Sequence, residues 1–421
     1  MNSETIVAQI EKNAIRLSTP DDLDLLIEAA GDAKYVLLGE ASHGTSEFYT
    51  WRAELSKRLI SEKGFNFIAV EGDWPSCYSL NRYLKHDPGA EPTPRAAMQA
   101  FNRWPTWMWA NAEIIELAKW MREFNAQRAP EQQKAGFYGL DVYSLWESME
   151  EVIGYLARIG SPELAHAQKA FACFEPFKRN EQSYGLSASF FSESCEEEVV
   201  RVLMALHNGR DFGALDAEAA LSAEINALVA VNAERYYRAM IRSGPDSWNI
   251  RDLHMAETLN RVADFYGPDA KAIIWEHNTH IGDARATDMA GAGMINIGQL
   301  LREQHAENDV YAIGFGTHHG TVIAGRAWGA PMEEMRVPPA QRDSWEDLLH
   351  RAGSYDKILM LGADNALFQE VIGHRAIGVV YDPEDERGNY VPSRMAQRYD
   401  AFLYIEESKA LDPLVLGVVH S

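Results

Sequence analysis

The chain has 421 residues, 46% of them hydrophobic, with 62 acidic against 39 basic side chains and a formal net charge of −23. That length and apolar fraction bury a large core, and the acidic balance lacks the basic stripe that a phosphate backbone requires, which argues against a nucleic-acid partner. No run approaches eighteen consecutive apolar residues, and the first twelve residues mix acid with base where a signal peptide needs a basic and then an apolar stretch, so a cytoplasmic protein with no membrane partner is expected.

Strand-like runs at 34–39, 66–71 and 136–141 alternate with helical segments at the spacing of βαβ units, which predicts a parallel sheet. Residues 146–266 contain no strand-length run of β-branched or alternating residues. They give long amphipathic stretches instead, at 217–240 and 250–265, with a break at Ser243-Gly-Pro-Asp-Ser247. Strand signals return at 271–276, 309–315, 357–362, 376–381 and 401–405, and Asp382 to Pro392, rich in charge, Gly and Pro, reads as a surface loop. The expected architecture is α/β: a mainly parallel central sheet flanked by helices, built from residues 1–145 and 267–421, with a helical subdomain at 146–266 forming one side of an active-site cleft. Cys77, Cys173 and Cys195 are too few and too scattered for a disulfide framework and are expected as thiols.

Four apolar runs end in a carboxylate, at Glu40, Glu71, Asp141 and Glu276, and two of these loops also carry histidine, at His43 and at His277 and His280. An acid at a strand end can serve only to cap the next helix, but ligands of parallel sheets bind outside the carboxyl ends of the strands, so four such ends, two with imidazoles, favour a site. The helix expected from Thr45 or Ser46 to Lys63 puts Arg52 in the middle of an apolar stripe of Phe48, Leu55 and Leu59. A guanidinium there needs a carboxylate, and Glu40 and Glu71 are the candidates. His43, just before that helix, lies where the positive end of the dipole disfavours imidazolium, leaving the neutral ring that a general base requires.

No H-E-x-x-H, H-x-x-E-H or cysteine pair is present, so the first expectation is acid–base catalysis without a cofactor. A divalent metal held by His43, His277, His280 and a carboxylate is the alternative. The absence of a G-x-S-x-G elbow, a Walker loop and a G-x-G-x-x-G turn leaves serine and nucleotide chemistry without support. Trp104, Trp107 and Trp109 could wall an apolar pocket or pack beneath a loop, and His318, in the Gly-rich segment Gly314-Phe-Gly-Thr-His318-His319-Gly, could line the same crevice.

Four ordered motifs, Leu38-Gly-Glu40-Ala-Ser-His43-Gly-Thr-Ser-Glu47-Phe, Val70-Glu71-Gly-Asp73, Tyr138-Gly-Leu-Asp141-Val-Tyr-Ser and Trp275-x-His277-Asn278-x-His280-x-Gly282-Asp283, resemble the erythromycin esterase family, with Ser247-Trp-Asn-Ile-Arg251-Asp252 extending the match. The resemblance implies an α/β sheet with a helical portion and a deep cleft. It implies a carboxylic ester hydrolase acting on a small-molecule ester or lactone, macrolides and hence antibiotic resistance among the candidates. His43 would be the base that activates water, in a cleft lined by residues matching Glu40, Arg52, Glu71, His277 and His280. Asp141, Arg251, the three indoles and His318 complete the expected substrate contacts. Metal dependence varies within the family, and Glu276 is not a required position. A metal-dependent hydrolase of another ester or amide, or a non-catalytic ligand-sequestering protein, are the other readings.

Overall fold

The computed structural model describes residues 3–177, 184, 187, 195–208, 216–242, 244–362 and 366–416. It divides into two compact units, one of residues 1–69, 80–137 and 270–421, the other of residues 70–79 and 138–269.

The first unit is organised by a sheet of strands β1 (Ile15–Arg16), β2 (Tyr35–Leu38), β3 (Phe67–Asp73), β4 (Gly136–Asp141), β5 (Ala272–Trp275), β6 (Val310–Gly325), β7 (Met332–Val337), β8 (Lys357–Met360) and β11 (Ala401–Ser408). Their order is β1-β8-β11-β6-β2-β5-β3-β4, with β7 paired to β6, and the last residues of β3 and β4 belong to the second unit. β2 is parallel to β5 and β6, and β11 to β6, while β8, β1 and β7 are antiparallel additions. The fold is therefore mixed α/β with a mostly parallel sheet. All four residues of β2 and all four of β5 are buried, which explains their unbroken apolar runs: strands covered on both faces have no solvent side to alternate with.

Three expectations change. β6 does not stop at residue 315 but continues to Gly325, so His318 and His319 lie within a strand and not in a loop. The glycines that suggested a loop serve close packing, since a β-carbon at Gly314 would stand 2.7 Å from the Tyr399 ring and one at Gly316 2.7 Å from the Phe402 ring. Residues 376–381 make only isolated bridges, Ile377 to Ser42 and Val380 to Gly325. The regular strands here are β9 (Val371–Arg375) and β10 (Tyr390–Arg394), an antiparallel pair of their own. The segment 382–392 is a loop only in part: a 3₁₀ turn, Pro383–Asn389, leads directly into β10.

The second unit is helical after β4, with helices Leu145–Arg158, Leu164–Phe174, Glu196–Asn208, Ala217–Met240 and Asp246–Tyr266. Ser243, within the expected break, lies outside the described residues, and the helices on either side end at Met240 and begin at Asp246. Asp216 caps the Ala217–Met240 helix by accepting from the Glu218 and Ala219 amides. Residues 221–234 of this helix are all buried, so it is the axis of the unit and not an amphipathic surface helix. Its polar positions are paired accordingly: Glu234 accepts from Tyr184 Oη at 2.6 Å, and Glu224 lies 3.0 Å from His207 Nδ1. Cys173 and Cys195 form a disulfide in this unit, correcting the expectation of thiols, and Cys77 alone is free and buried. The sequence misses the pairing because it joins the last turn of the helix Leu164–Phe174 to the residue before the helix Glu196–Asn208, at a separation of 22. Among the described residues no helix is long and apolar enough to cross a membrane.

Candidate active site

β2 and β5 are parallel neighbours with Leu38 opposite Trp275, so the loops carrying Glu40-Ala-Ser-His43 and Glu276-His277-Asn278-Thr-His280 leave the sheet side by side. They are joined through the main chain: the Asn278 amide donates to the Glu40 carbonyl at 2.9 Å. A side chain at Gly39 would collide with the Asn278 carboxamide, so glycine before the glutamate is what lets the loops meet. Beyond His43, the Gly44 carbonyl accepts from the amides of Ile323 and Leu411, each at 3.0 Å.

Glu40, His43 and Arg52 are buried and interlocked. One oxygen of Glu40 is 2.9 Å from His43 Nδ1, and the other accepts from Arg52 Nη2 at 2.6 Å. Arg52 also donates from Nε to the Phe48 carbonyl at 3.2 Å, and its guanidinium lies 4.5 Å from the Tyr49 ring and 4.7 Å from the Trp275 ring. The misplaced charge on the apolar stripe thus meets Glu40, with two aromatic faces beside it. A carboxylate can only accept, so His43 Nδ1 carries the proton of that contact and Nε2 is left with the lone pair.

His277 stands beside His43, ring centroids 4.9 Å apart. Its Nδ1 accepts from the Thr279 amide at 3.3 Å and lies 2.8 Å from Thr279 Oγ1, which fixes the opposite tautomer, with the proton on Nε2. The two rings therefore offer complementary atoms, a basic Nε2 on His43 and an N–H donor on His277. His280 and Glu276 are buried in the same loop. Sequence reasoning gave Asn278 no role of its own and missed His374 and Glu346. The Asn278 carboxamide clips to both main-chain groups of Phe315, at 2.6 and 3.2 Å, and donates to His374 Nε2 at 3.2 Å, while His374 Nδ1 is 2.5 Å from Glu346. Burial holds the His374 pKa below its ordinary value even against the neighbouring Glu346 carboxylate, consistent with a neutral ring that accepts at Nε2. Asn278 was at least visible within the Trp-x-His-Asn motif, whereas nothing in sequence ties residue 374 to it.

The second unit has its own ionic cluster. Arg251 donates to both oxygens of Asp141, from Nε at 2.9 Å and from Nη2 at 2.7 Å, and from Nη2 to Glu71 at 2.7 Å. Its guanidinium lies 4.9 Å from the Tyr143 ring. Burial works against the charge, but Asp141, Tyr143 and Glu71 outweigh it and hold Arg251 well above its ordinary pKa. His254, one turn along the helix, is buried against Asn232 at 3.0 Å, and burial pushes its pKa down to about 4. Of the two carboxylates expected to meet Arg52, Glu40 does so and also contacts His43, while Glu71 bonds to Arg251.

Trp107 and Trp109 are buried, and Trp109 packs against Tyr49, the ring beside Arg52. Trp104 is partly exposed, donates to the Ala330 carbonyl at 2.9 Å and packs on Trp328. His318 is buried on β6 among His319, His350 and Glu406. Among the described residues, His318, His319 and Glu406 bring ligand atoms close enough to share a cation.

A family model described as erythromycin esterase matches residues 60–408. The Bacillus subtilis (strain 168) protein named "Putative hydrolase YbfO" is 23% identical over 332 residues, 72% of this chain and 69% of that protein. A solved structure of a succinoglycan biosynthesis protein aligns with a TM-score of 0.79 at 22% identity, over 97% of this chain and 98% of its own. An erythromycin esterase, EreC, in a histidine-to-asparagine mutant form and an open conformation, aligns with a TM-score of 0.67 at 16% identity, over 96% and 99%. At these identities the structural likenesses establish the fold.

Proposed function

The chain belongs to the erythromycin esterase family, a membership that points to hydrolysis, and from that premise we propose that it cleaves a carboxylic ester or lactone by direct attack of water activated by His43. A macrolide-type macrolactone is the candidate substrate. The observation that carries the reading is the 2.9 Å contact between Glu40 and His43 Nδ1, with Arg52 closing the other side of the carboxylate. Glu40 and Arg52 are positioning residues. Arg52 has no exposed surface, so it fixes Glu40, and the donor to the reacting oxygen is an imidazole.

His43 Nε2 takes a proton from water as the water oxygen bonds to the carbonyl carbon, and the negative charge that develops on the carbonyl oxygen is met by the Nε2–H of His277. When the tetrahedral intermediate collapses, the carbon–alkoxide bond breaks and the His43 imidazolium returns its proton to the leaving oxygen. Acid and alcohol are released and His43 is neutral again. Incubation with erythromycin and a panel of simpler lactones and esters, followed by mass spectrometry, should detect addition of one water. Hydrolysis of other esters without any attack on erythromycin would remove the macrolide assignment. Full activity in His43→Ala would remove the mechanism.

A further inference from the structure

We propose a second site in the first unit, a centre for a divalent cation of zinc type bound by His318, His319 and Glu406, independent of ester hydrolysis. β6 and β11 are parallel, with Ile405 against Thr317 and Glu407 against His319, and this register sets Glu406 beside His318, 4.0 Å from its Nδ1. The three side chains present ligand atoms that all lie within 4.8 Å of one another. Two imidazole nitrogens on one tetrahedral zinc, each about 2.0–2.1 Å from the ion, stand roughly 3.3 Å apart. The Nδ1 atoms of His318 and His319 are 3.1 Å apart. Two ring nitrogens facing each other need something positive between them, either a single shared proton or a cation, and the nearby carboxylate favours the cation.

The surroundings have the form of an outer layer. His350, on the helix Trp345–Arg351, stacks on the His318 ring with centroids 3.8 Å apart and planes within 6°. Its Nδ1 lies 2.6 Å from Glu406 Oε1, and Tyr404 Oη donates to Oε2 at 2.8 Å, the kind of contact that orients a ligating carboxylate. Arg375 is engaged by the carbonyls of Thr317 and His318 and by Glu386. Two imidazoles and one carboxylate are a borderline donor set suited to zinc and its analogues, and three protein ligands leave a coordination position open to water.

The full-length chain, stripped with a chelator and dialysed, is titrated with Zn²⁺ by calorimetry and with Co²⁺ by visible absorption. One equivalent should bind, with affinity at least 100-fold weaker in His319→Ala and in Glu406→Gln and unchanged in His43→Ala. Anomalous scattering at the zinc edge from crystals of the unsubstituted protein should place the ion between His318 and His319, a readout that needs no variant to fold. Absence of stoichiometric binding, an ion found elsewhere, or binding lost in His43→Ala but kept in both ligand variants would overturn the proposal.

Discussion

Each unit sets an arginine against carboxylate, and the two clusters do different things with the same residue types. In the first, Glu40 divides its oxygens between Arg52 and His43, so the charge of the pair is balanced and the remaining contact orients a ring that can carry a proton. In the second, Asp141 and Glu71 both converge on Arg251, and no imidazole takes part in these contacts. A buried ion pair becomes a device for proton transfer only when one acceptor position is given to an imidazole; when arginine takes the carboxylates, the result is a rigid anchor.

The sharpest break of this comparison is Glu40→Gln. A carboxamide can turn its NH₂ toward His43 and force the opposite tautomer, so kcat should fall on the order of 10²-fold or more, and the uncompensated charge of buried Arg52 should lower the thermal midpoint as well. Near-normal kcat would dissolve the distinction between the clusters. Next in size, Arg251→Met strands two buried carboxylates and should cost about 3–5 kcal/mol at neutral pH. Because the stranded acids can neutralise by taking up protons, the deficit should shrink at pH 5, and calorimetry at both pH values checks the sign.

Much of the first cluster was legible because its parts are local in sequence. Glu40 and His43 are three residues apart, and Arg52 stands out as a charge on an apolar stripe, so a helical wheel already requires a partner for it. The second loop was legible for the same reason, and the parallel register of β2 and β5 brings the two together. What stayed hidden depends on pairings distant in sequence: His374 reaching Asn278 across 96 residues, the His318–Glu406 neighbourhood, and the disulfide. The glycines of β6 misled because sequence cannot distinguish a glycine required by a turn from one required by an aromatic ring lying against the strand.

Two smaller effects sharpen the contrast between the units. Replacing Cys173 and Cys195 by serine opens a covalent loop with a sequence separation of 22, worth about 3 kcal/mol by chain entropy, and proteolysis should report the loss in the helical unit and not in the sheet. His254, held down to about 4 from an ordinary 6.5, stays neutral in the fold while the unfolded chain takes up a proton. Its contribution should therefore subtract stability as pH falls from 6.5 toward 4, by up to about 1.4 kcal/mol per pH unit, and add nothing above that range. His254→Gln should flatten that limb of the denaturation profile.

The Cys173–Cys195 bond bears on how the protein is handled. A cell lysate kept under thiol reductant and one prepared in air would yield two covalent species of the same polypeptide, differing only in the helical unit. Turnover measured on one need not equal turnover measured on the other, so a thiol titration belongs beside every rate, and a host with an oxidising compartment is the better source of a uniform sample.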